Sequence, residues 1–134
     1  MAEENRFAVK IITPDREFYE GQAEMIEFNT VDGEVGIYKN HIPMTMILKP
    51  GILTITDGED VKTAALHAGF VEVLPEMVTI LAEIIEWPTE IDVSRAEAAK
   101  GRAEARLLEK DPSTDIARAE TALQRSLARI AVIK

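Results

Sequence analysis

The chain has 134 residues, 46% hydrophobic and 29% charged, a composition typical of a soluble globular domain with room for an appendage. It contains no cysteine, which excludes disulfides, thiolate zinc sites and cysteine nucleophiles. The formal charge of −9 is uneven, because residues 1–90 carry 6 Lys and Arg against 17 Asp and Glu, whereas residues 91–134 carry 9 against 7. The acidic N-terminal part argues against nucleic-acid binding.

The N-terminus has neither the pattern of a secretory signal nor that of a transit peptide. No apolar run approaches the roughly 20 residues that a membrane-spanning helix needs. We therefore expect no direct membrane insertion, and any link to a membrane should come through a partner.

Residues 6–83 have the pattern of a β-domain. Short segments rich in Val, Ile, Thr and Phe alternate apolar and polar residues, and turn formers such as Asp57-Gly58 separate them. Strands are predicted at residues 7–13, 23–30, 43–47, 52–56, 61–66, 70–74 and 77–82. This number of short strands predicts an antiparallel sandwich or barrel.

The pattern changes after Ile85, where Trp87-Pro88 interrupts the strand rhythm. Residues 91–109 and 115–132 are rich in helix formers and predict two helices, separated by a break at residues 110–114. Asp92 or Ser94 is expected to cap the first helix. On the second helix the main apolar residues fall on one face: Ile116, Leu123, Leu127 and Ile130.

Two helices joined by a short turn predict an antiparallel hairpin. Ala96, Ala99 and Ala103 form a stripe of small residues on the first helix, which allows a close approach of the second. Because alanine buries little area, at roughly 25 cal/mol per Å² such an interface stabilises the hairpin weakly. The hairpin could therefore open or detach.

Arginines form a second pattern on both predicted helices. Along the first helix one stripe contains Asp92, Arg95, Ala99, Arg102 and Arg106, and along the second another contains Arg118, Ala122, Arg125 and Arg129. If the two stripes were adjacent, up to six guanidinium groups would converge. Such a cluster needs an anion or carboxylates to neutralise it, and a triphosphate suits the guanidinium fork.

Several local motifs, in order and with their spacing, resemble one family. They are GEVGIY at 33–38, HIP at 41–43, KPG at 49–51, AGFVEV at 68–73, VTILAE at 78–83 and IDVSRA at 91–96. Together they resemble the epsilon subunit of bacterial F-type ATP synthases. The chain departs from the family at Lys39-Asn40, where Pro-Gly is frequent, and at Ala68-Gly69, where Gly-Gly is frequent. Asn40 can still adopt a left-handed turn, whereas Ala68 requires a position without positive φ.

The resemblance implies an all-β sandwich of about ten strands at residues 1–86, followed by an α-helical hairpin at residues 87–134. It implies a non-catalytic rotor subunit of the central stalk, peripheral to the cytoplasmic face of a bacterial cell membrane. The sandwich would dock on the gamma subunit and the c-ring. The hairpin would either fold on the sandwich or extend toward the alpha and beta subunits and restrain ATP hydrolysis.

Epsilon subunits of some bacteria bind ATP on this hairpin as a regulatory ligand, with no required cofactor. By the resemblance, the ATP-binding residues here are Glu86, Ile91, Asp92, Arg95, Ala96, Arg102, Arg125 and Arg129. We assign a partner interface to Tyr38, His41, Pro43, Met44, Arg106 and Arg118. Two alternatives stay open at this point, namely that the arginines only dock on acidic loops of the beta subunits, or that they form surface ion pairs with Asp92, Glu97 or Glu120.

No motif predicts a catalytic or metal site. The chain lacks a G-x-x-x-x-G-K-[ST] phosphate loop, and its two histidines, His41 and His67, have no carboxylate spacing that indicates a metal site. His67 is interpreted as structural, at a strand end. The main alternative to a stalk subunit is a free-standing ligand-binding β-sandwich with a helical oligomerisation tail. The resemblance leaves a closer alternative, which is the mitochondrial counterpart of the bacterial subunit, called delta there.

Overall fold

The computed structural model describes residues 5–109 and 111–134. Eight strands are followed by a 3₁₀ turn at Pro88–Glu90 and by two helices. The strands are β1 (Phe7–Ile12), β2 (Glu17–Ala23), β3 (Met25–Thr30), β4 (Gly33–Tyr38), β5 (Met44–Leu48), β6 (Gly51–Asp57), β7 (Asp60–Leu74) and β8 (Met77–Glu86), and the helices are α1 (Val93–Glu109) and α2 (Ile116–Ile133). The predicted β-sandwich followed by a helical hairpin is confirmed.

The strand count is eight in the described chain, compared with the ten that were expected, because two long strands serve both layers of the sandwich. The first half of β7 pairs with β6 and its second half pairs with β5, with a register shift at His67–Ala68 in its pairing with β8. The predicted strands 61–66 and 70–74 are therefore one bent strand. Similarly, β8 pairs with β1 only over its first half.

Two strands, β2 and β4, were not predicted from the sequence. They lie at the two ends of the strand order β2-β1-β8-β7-β5-β3-β4, and β6 pairs with β3 and β7 off this path. A strand at the end of a sheet needs to bury fewer side chains. Both strands also contain glycine and glutamate, which interrupt the alternation of apolar and polar residues.

The core lies between the layers and is filled by one face of each strand. In β1, β3, β6 and β8 the buried aliphatic and aromatic residues alternate with more exposed ones. The fully buried side chains include Val9, Ile11, Ile26, Phe28, Leu53 and Ile80. This alternation is the signal that made the sandwich predictable.

The two positions at which the sequence departs from the family adopt the expected backbone. Asn40 has a φ of 64°, which is left-handed, and its N–H donates to Pro75 O at 2.8 Å. Gly69 has a φ of 139°, whereas Ala68 is not among the residues with positive φ. The Ala68-Gly69 pair therefore needs glycine only at its second position.

Both helices begin at an aspartate cap, of which the sequence predicted only the first, as either Asp92 or Ser94. Asp92, rather than Ser94, caps α1, because its Oδ1 accepts from Arg95 N at 3.1 Å. Asp115 caps α2 by accepting from Arg118 N at 3.0 Å. Of the predicted break between the helices, Lys110 lies outside the described residues.

The helices contact each other through small side chains, and α2 also packs on β6 and β7. Ala96 and Ala103 of α1 are buried, as are Ala119 and Ser126 of α2. Of the predicted apolar face of α2, only Ile130 is buried, and the others range from half-buried to exposed. The single-stripe prediction was incomplete because α2 packs against α1 on one side and against the sandwich on another.

Replacing Gly69 with alanine should destabilise the sandwich. An alanine Cβ would overlap the carbonyl oxygen of Leu81 on the neighbouring strand, and the positive φ adds strain. We expect the free energy of unfolding to fall by at least about 1–3 kcal/mol, measured by urea denaturation.

The matched control is Gly101→Ala in α1, where nothing lies within 4 Å of the added Cβ. In an exposed helix interior this change should stabilise the hairpin by about 0.5–1 kcal/mol. Equal and small effects of the two substitutions would contradict the backbone constraint at Gly69.

Candidate functional site

The junction between sandwich and hairpin is fixed by aromatic and ionic contacts. The Trp87 ring stacks on Phe18 with centroids 4.3 Å apart. Glu90 accepts from Trp87 N at 2.9 Å and from Arg16 at 2.8 and 2.9 Å. The bond from Arg16 and then that from the Trp87 amide lower the pKa of the Glu90 carboxyl. These contacts anchor the 3₁₀ turn to the sandwich.

A cleft of about 380 Å³ opens where this turn, the start of α1 and α2 meet. Its volume lies within the range of small-molecule sites. The lining residues are Glu86, Glu90, Ile91, Asp92, Arg95, Ala96, Ala99, Arg102 and Arg129. The cleft therefore joins residues of β8, the junction and both helices.

Seven of the eight residues assigned to ATP binding line this cleft, and Arg125 does not. Arg125 lies one helical turn before Arg129 and is half-buried, and its Nε has no hydrogen-bond partner among the described atoms. The spacing of the I-D-x-x-R-A motif accounts for this result, since a capped helix start places Asp92 and Arg95 in one turn. The contribution of Glu86 depends on the end of β8 reaching the same cleft.

Each carboxylate of the cleft is already engaged. Glu86 accepts from Arg129 Nε at 2.7 Å, Glu90 is held by Arg16, and Asp92 caps α1. By contrast, no carboxylate of residues 5–109 or 111–134 lies within ion-pair distance of Arg95 or Arg102.

The ion pairs proposed for Arg95 and Arg102 with Asp92, Glu97 or Glu120 are therefore absent from the described structure. Two guanidinium groups thus line the cleft without a counter-charge from residues 5–109 or 111–134, and guanidinium groups bind phosphate oxygens through paired hydrogen bonds. The arrangement can bind an anion between the helices.

The six arginines of the two stripes do not converge. Three of them line the cleft, whereas Arg106 and Arg118 are exposed outside it. Arg95 and Arg106 are separated by about 16 Å along the helix, at 1.5 Å per residue. One stripe is thus too long for a single small ligand to contact both of its ends.

His67 adds a contact that the sequence did not indicate. It is fully buried in the middle of β7, not at a strand end, and its Nε2 donates to Glu86 Oε1 at 3.0 Å. Burial lowers the pKa of His67, Arg129 and Arg125 lower it further, and the bond to Glu86 opposes them. A lone histidine gives no sequence signal for this role, because only the pairing of β7 with β8 brings it to Glu86.

The residues assigned to a partner interface on the sandwich surround the loop between β4 and β5. Tyr38 and Met44 have exposed side chains, Pro43 is exposed, and His41 is half-exposed with its Nδ1 3.0 Å from Ile42 O. His41 thus contacts the local backbone as well as lying among the residues assigned to the interface. The loop presents an accessible, partly apolar surface.

The outer face of the sandwich carries an apolar row that was not predicted. Ile47 of β5 lies opposite Phe70 of β7, and Phe70 lies opposite Leu81 of β8. Their exposed fractions are 62%, 46% and 39%. We call these three residues the outer row. The sequence showed that they are in strands, but their pairing and solvent-facing side came from the fold.

Two other features are absent from the described ranges. No helix there is both long and apolar enough to cross a membrane. Nor do residues 5–109 and 111–134 bring three or more histidine or acidic side chains together as a metal would require.

Matches to known proteins cover the chain from residue 6 to residue 134. Residues 6–88 match the beta-sandwich domain of the ATP synthase delta/epsilon chain, and residues 89–134 match its long alpha-helix domain. An ATP synthase epsilon chain of Brevibacillus brevis is 47% identical over 97% of this chain and 99% of its own. One of Caldanaerobacter subterraneus is 43% identical over 94% and 92%.

Solved structures share the fold at lower identity. A chain of the Euglena gracilis mitochondrial ATP synthase (OSCP/F1/c-ring) superposes with a TM-score of 0.84 at 23% identity, covering 96% of this chain and 82% of that one. A chain of the Tetrahymena thermophila enzyme (central stalk and c-ring) gives 0.62 at 18% identity, with 96% of both covered. The resemblance seen in the motifs is confirmed, and the chain belongs to the ATP synthase delta/epsilon chain family.

Proposed function

We propose that the chain is the non-catalytic epsilon subunit in the central stalk of a bacterial, proton-translocating F-type ATP synthase, and that its hairpin binds ATP and regulates ATP hydrolysis. The nucleotide part of the proposal rests on the cleft, where Arg95 and Arg102 have no carboxylate partner among the described residues. The names of the bacterial relatives, which are ATP synthase epsilon chains, support the assignment as an epsilon subunit.

In the proposed complex the triphosphate lies between the helices. Arg95 and Arg102 of α1 and Arg129 of α2 contact its oxygens, and Glu86 holds Arg129 in place through the 2.7 Å bond. Arg125, one turn before Arg129, adds positive potential behind it.

The base lies toward the junction end of the cleft. There Ile91 supplies an apolar contact, Asp92 is close enough to the cleft to accept a hydrogen bond, and the small Ala96 leaves room for a ring. The chain needs no cofactor for this role.

The proposed regulation depends on the arginines of the cleft belonging to two different helices. Only the folded hairpin places arginines of α1 and α2 on one cleft, so ATP binds the folded form and shifts the population toward it, by no more than its differential affinity. When ATP is scarce the hairpin extends along the gamma subunit. Arg106 and Arg118 then meet acidic surfaces of the alpha and beta subunits and restrain hydrolysis.

The sandwich has the second role, which is to hold the gamma subunit to the c-ring. The exposed loop with Tyr38, His41, Pro43 and Met44 and the outer row are the surfaces that suit such partners, because exposed apolar patches of this kind mark protein interfaces. The chain is thereby peripheral to the cytoplasmic face of the membrane. Proton flow and phosphoryl transfer belong to other subunits.

Calorimetric titration of ATP into the purified chain tests nucleotide binding. Saturable binding is expected, and Arg95→Ala should weaken it by tenfold or more, because a hydrogen bond to a charged group contributes about 1.5–3 kcal/mol. Arg106→Ala is the matched control, since it removes the same charge from the same helix outside the cleft. It should leave the affinity within about twofold.

The absence of binding heat at millimolar ATP would contradict the nucleotide part and recast the arginines as a docking surface for the catalytic subunits. The thermal transition of the sandwich should be the same in Arg95→Ala and Arg129→Ala as in the natural chain. A parallel loss of that transition would contradict the separation of the two parts.

Substitution in the outer row tests the stalk interface. Phe70→Asp places a charge at the centre of the row, so binding to the purified gamma subunit should weaken by at least about tenfold. Surface plasmon resonance gives the affinity. Because Phe70 is partly exposed, the sandwich should keep its fold, which circular dichroism checks.

Val61→Asp is the control for this experiment. Val61 is an exposed apolar residue on the same strand, in the half of β7 that pairs with β6, whereas Phe70 lies in the half that pairs with β5. Unchanged affinity of Phe70→Asp, or equal losses in both variants, would show that the outer row is not the interface.

A further inference from the structure

His67 lies where both layers of the sandwich and the hairpin meet. Its Nε2 donates to Glu86 Oε1, and the same oxygen accepts from Arg129 Nε of α2. The imidazole is fully buried, and Glu86 and Arg129 are each about one quarter exposed. One carboxylate oxygen therefore connects a buried side chain of the sandwich to a side chain of the docked hairpin.

The geometry defines which form of the imidazole is present. Since an ionised carboxylate only accepts, the neutral ring carries its proton on Nε2. The other nitrogen, Nδ1, is buried and has no partner among the described atoms. A second proton there would create a buried N–H without an acceptor, which is costly.

The charged groups that act on the ring come from two elements. Glu86 comes from β8, and Arg125 and Arg129 come from α2. The pairing of β6 with this part of β7 adds only the uncharged Gly51 and Ile52. On the 3₁₀ turn, which also packs near β7, the carboxylate of Glu90 is bound by Arg16.

We propose that His67 is a positioning residue of the docked hairpin. In its neutral form His67 holds the Glu86 carboxylate where it accepts from Arg129, and protonation of His67 releases α2. Release of α2 exposes the ring to water and removes both arginines, while Glu86 stays beside it on the adjacent strand. Each of these changes favours the protonated ring. Acidification therefore shifts the hairpin from the docked to the released form.

The sign of the pH dependence follows from proton linkage. Burial and the arginines lower the pKa of His67 in the docked form, whereas the released form should titrate near the ordinary value of about 6.5. Above that pH His67 is neutral in both forms, so the ratio of docked to released hairpin is at its highest. Below it, the ratio of docked to released hairpin falls by up to tenfold per pH unit, until the pKa of the docked form is reached.

The inference rests on the two-state hairpin of the proposed function, and it is tested without nucleotide. Glu34 of the sandwich and Gln124 of α2 are exposed and line one groove. Because the chain has no cysteine, the double variant Glu34→Cys and Gln124→Cys carries the only two thiols, which a fluorophore pair can label. Energy transfer in the full chain should fall as the pH is lowered from about 8 to about 5. Trp87, the only tryptophan, reports whether the junction with the sandwich stays folded.

Two glutamine variants give the decisive comparison. His67→Gln keeps a donor for Glu86 but does not titrate, so energy transfer should become independent of pH in this range. His41→Gln removes the only other histidine and should keep the full pH dependence. The same pH dependence in His67→Gln as in the natural chain, or no dependence in the natural chain, would overturn the proposal.

Proton NMR of the natural chain gives a second measurement that needs no His67 variant. It resolves two imidazoles, and the His41→Gln spectrum assigns them. An ordinary pKa for His67 in the docked chain would overturn the proposal. If ATP does not change the energy transfer at about pH 8, where His67 is neutral, nucleotide binding is contradicted but the role of His67 is not, because the pH dependence is measured without nucleotide.

Discussion

One carboxylate oxygen, Glu86 Oε1, joins the two parts of the molecule. It accepts hydrogen bonds from His67 at 3.0 Å and from Arg129 at 2.7 Å, so that β7, β8 and α2 meet at one atom. A partly buried pair of this kind is less screened than a surface pair, and losing one partner leaves the other poorly solvated. The position of Arg129, and with it one wall of the cleft, depends on this contact.

The other contacts that hold the hairpin are modest in size. The helices meet through Ala96, Ala103 and Ala119, whose side chains bury little apolar area, and α1 packs chiefly on α2. A weakly held element with a few specific polar contacts suits a two-state switch, because a ligand or a proton changes the balance only if the two states differ little in free energy.

The junction connects the sandwich to the hairpin for which we propose a two-state movement. Trp87 is stacked on Phe18, and Glu90 is tied to Arg16, so the 3₁₀ turn is anchored to the sandwich. Ile91, which follows in an extended conformation, precedes the cap of α1 at Asp92. A hinge at this point would let the hairpin move while the outer row and the loop before β5 keep their positions on the sandwich.

The sequence predicted the two-part architecture and a cap for α1 at Asp92 or Ser94, because alternation, helix propensity and capping residues are local patterns, and its resemblance to the family supplied most of the cleft residues. It could not determine contacts between distant residues. The bend of β7 through both layers, and the meeting of Glu86 with His67 and with Arg129, 19 and 43 positions away, depend on strand register and on how α2 docks. Only the tertiary structure decides these, since register and docking are set by the burial of the whole chain at once.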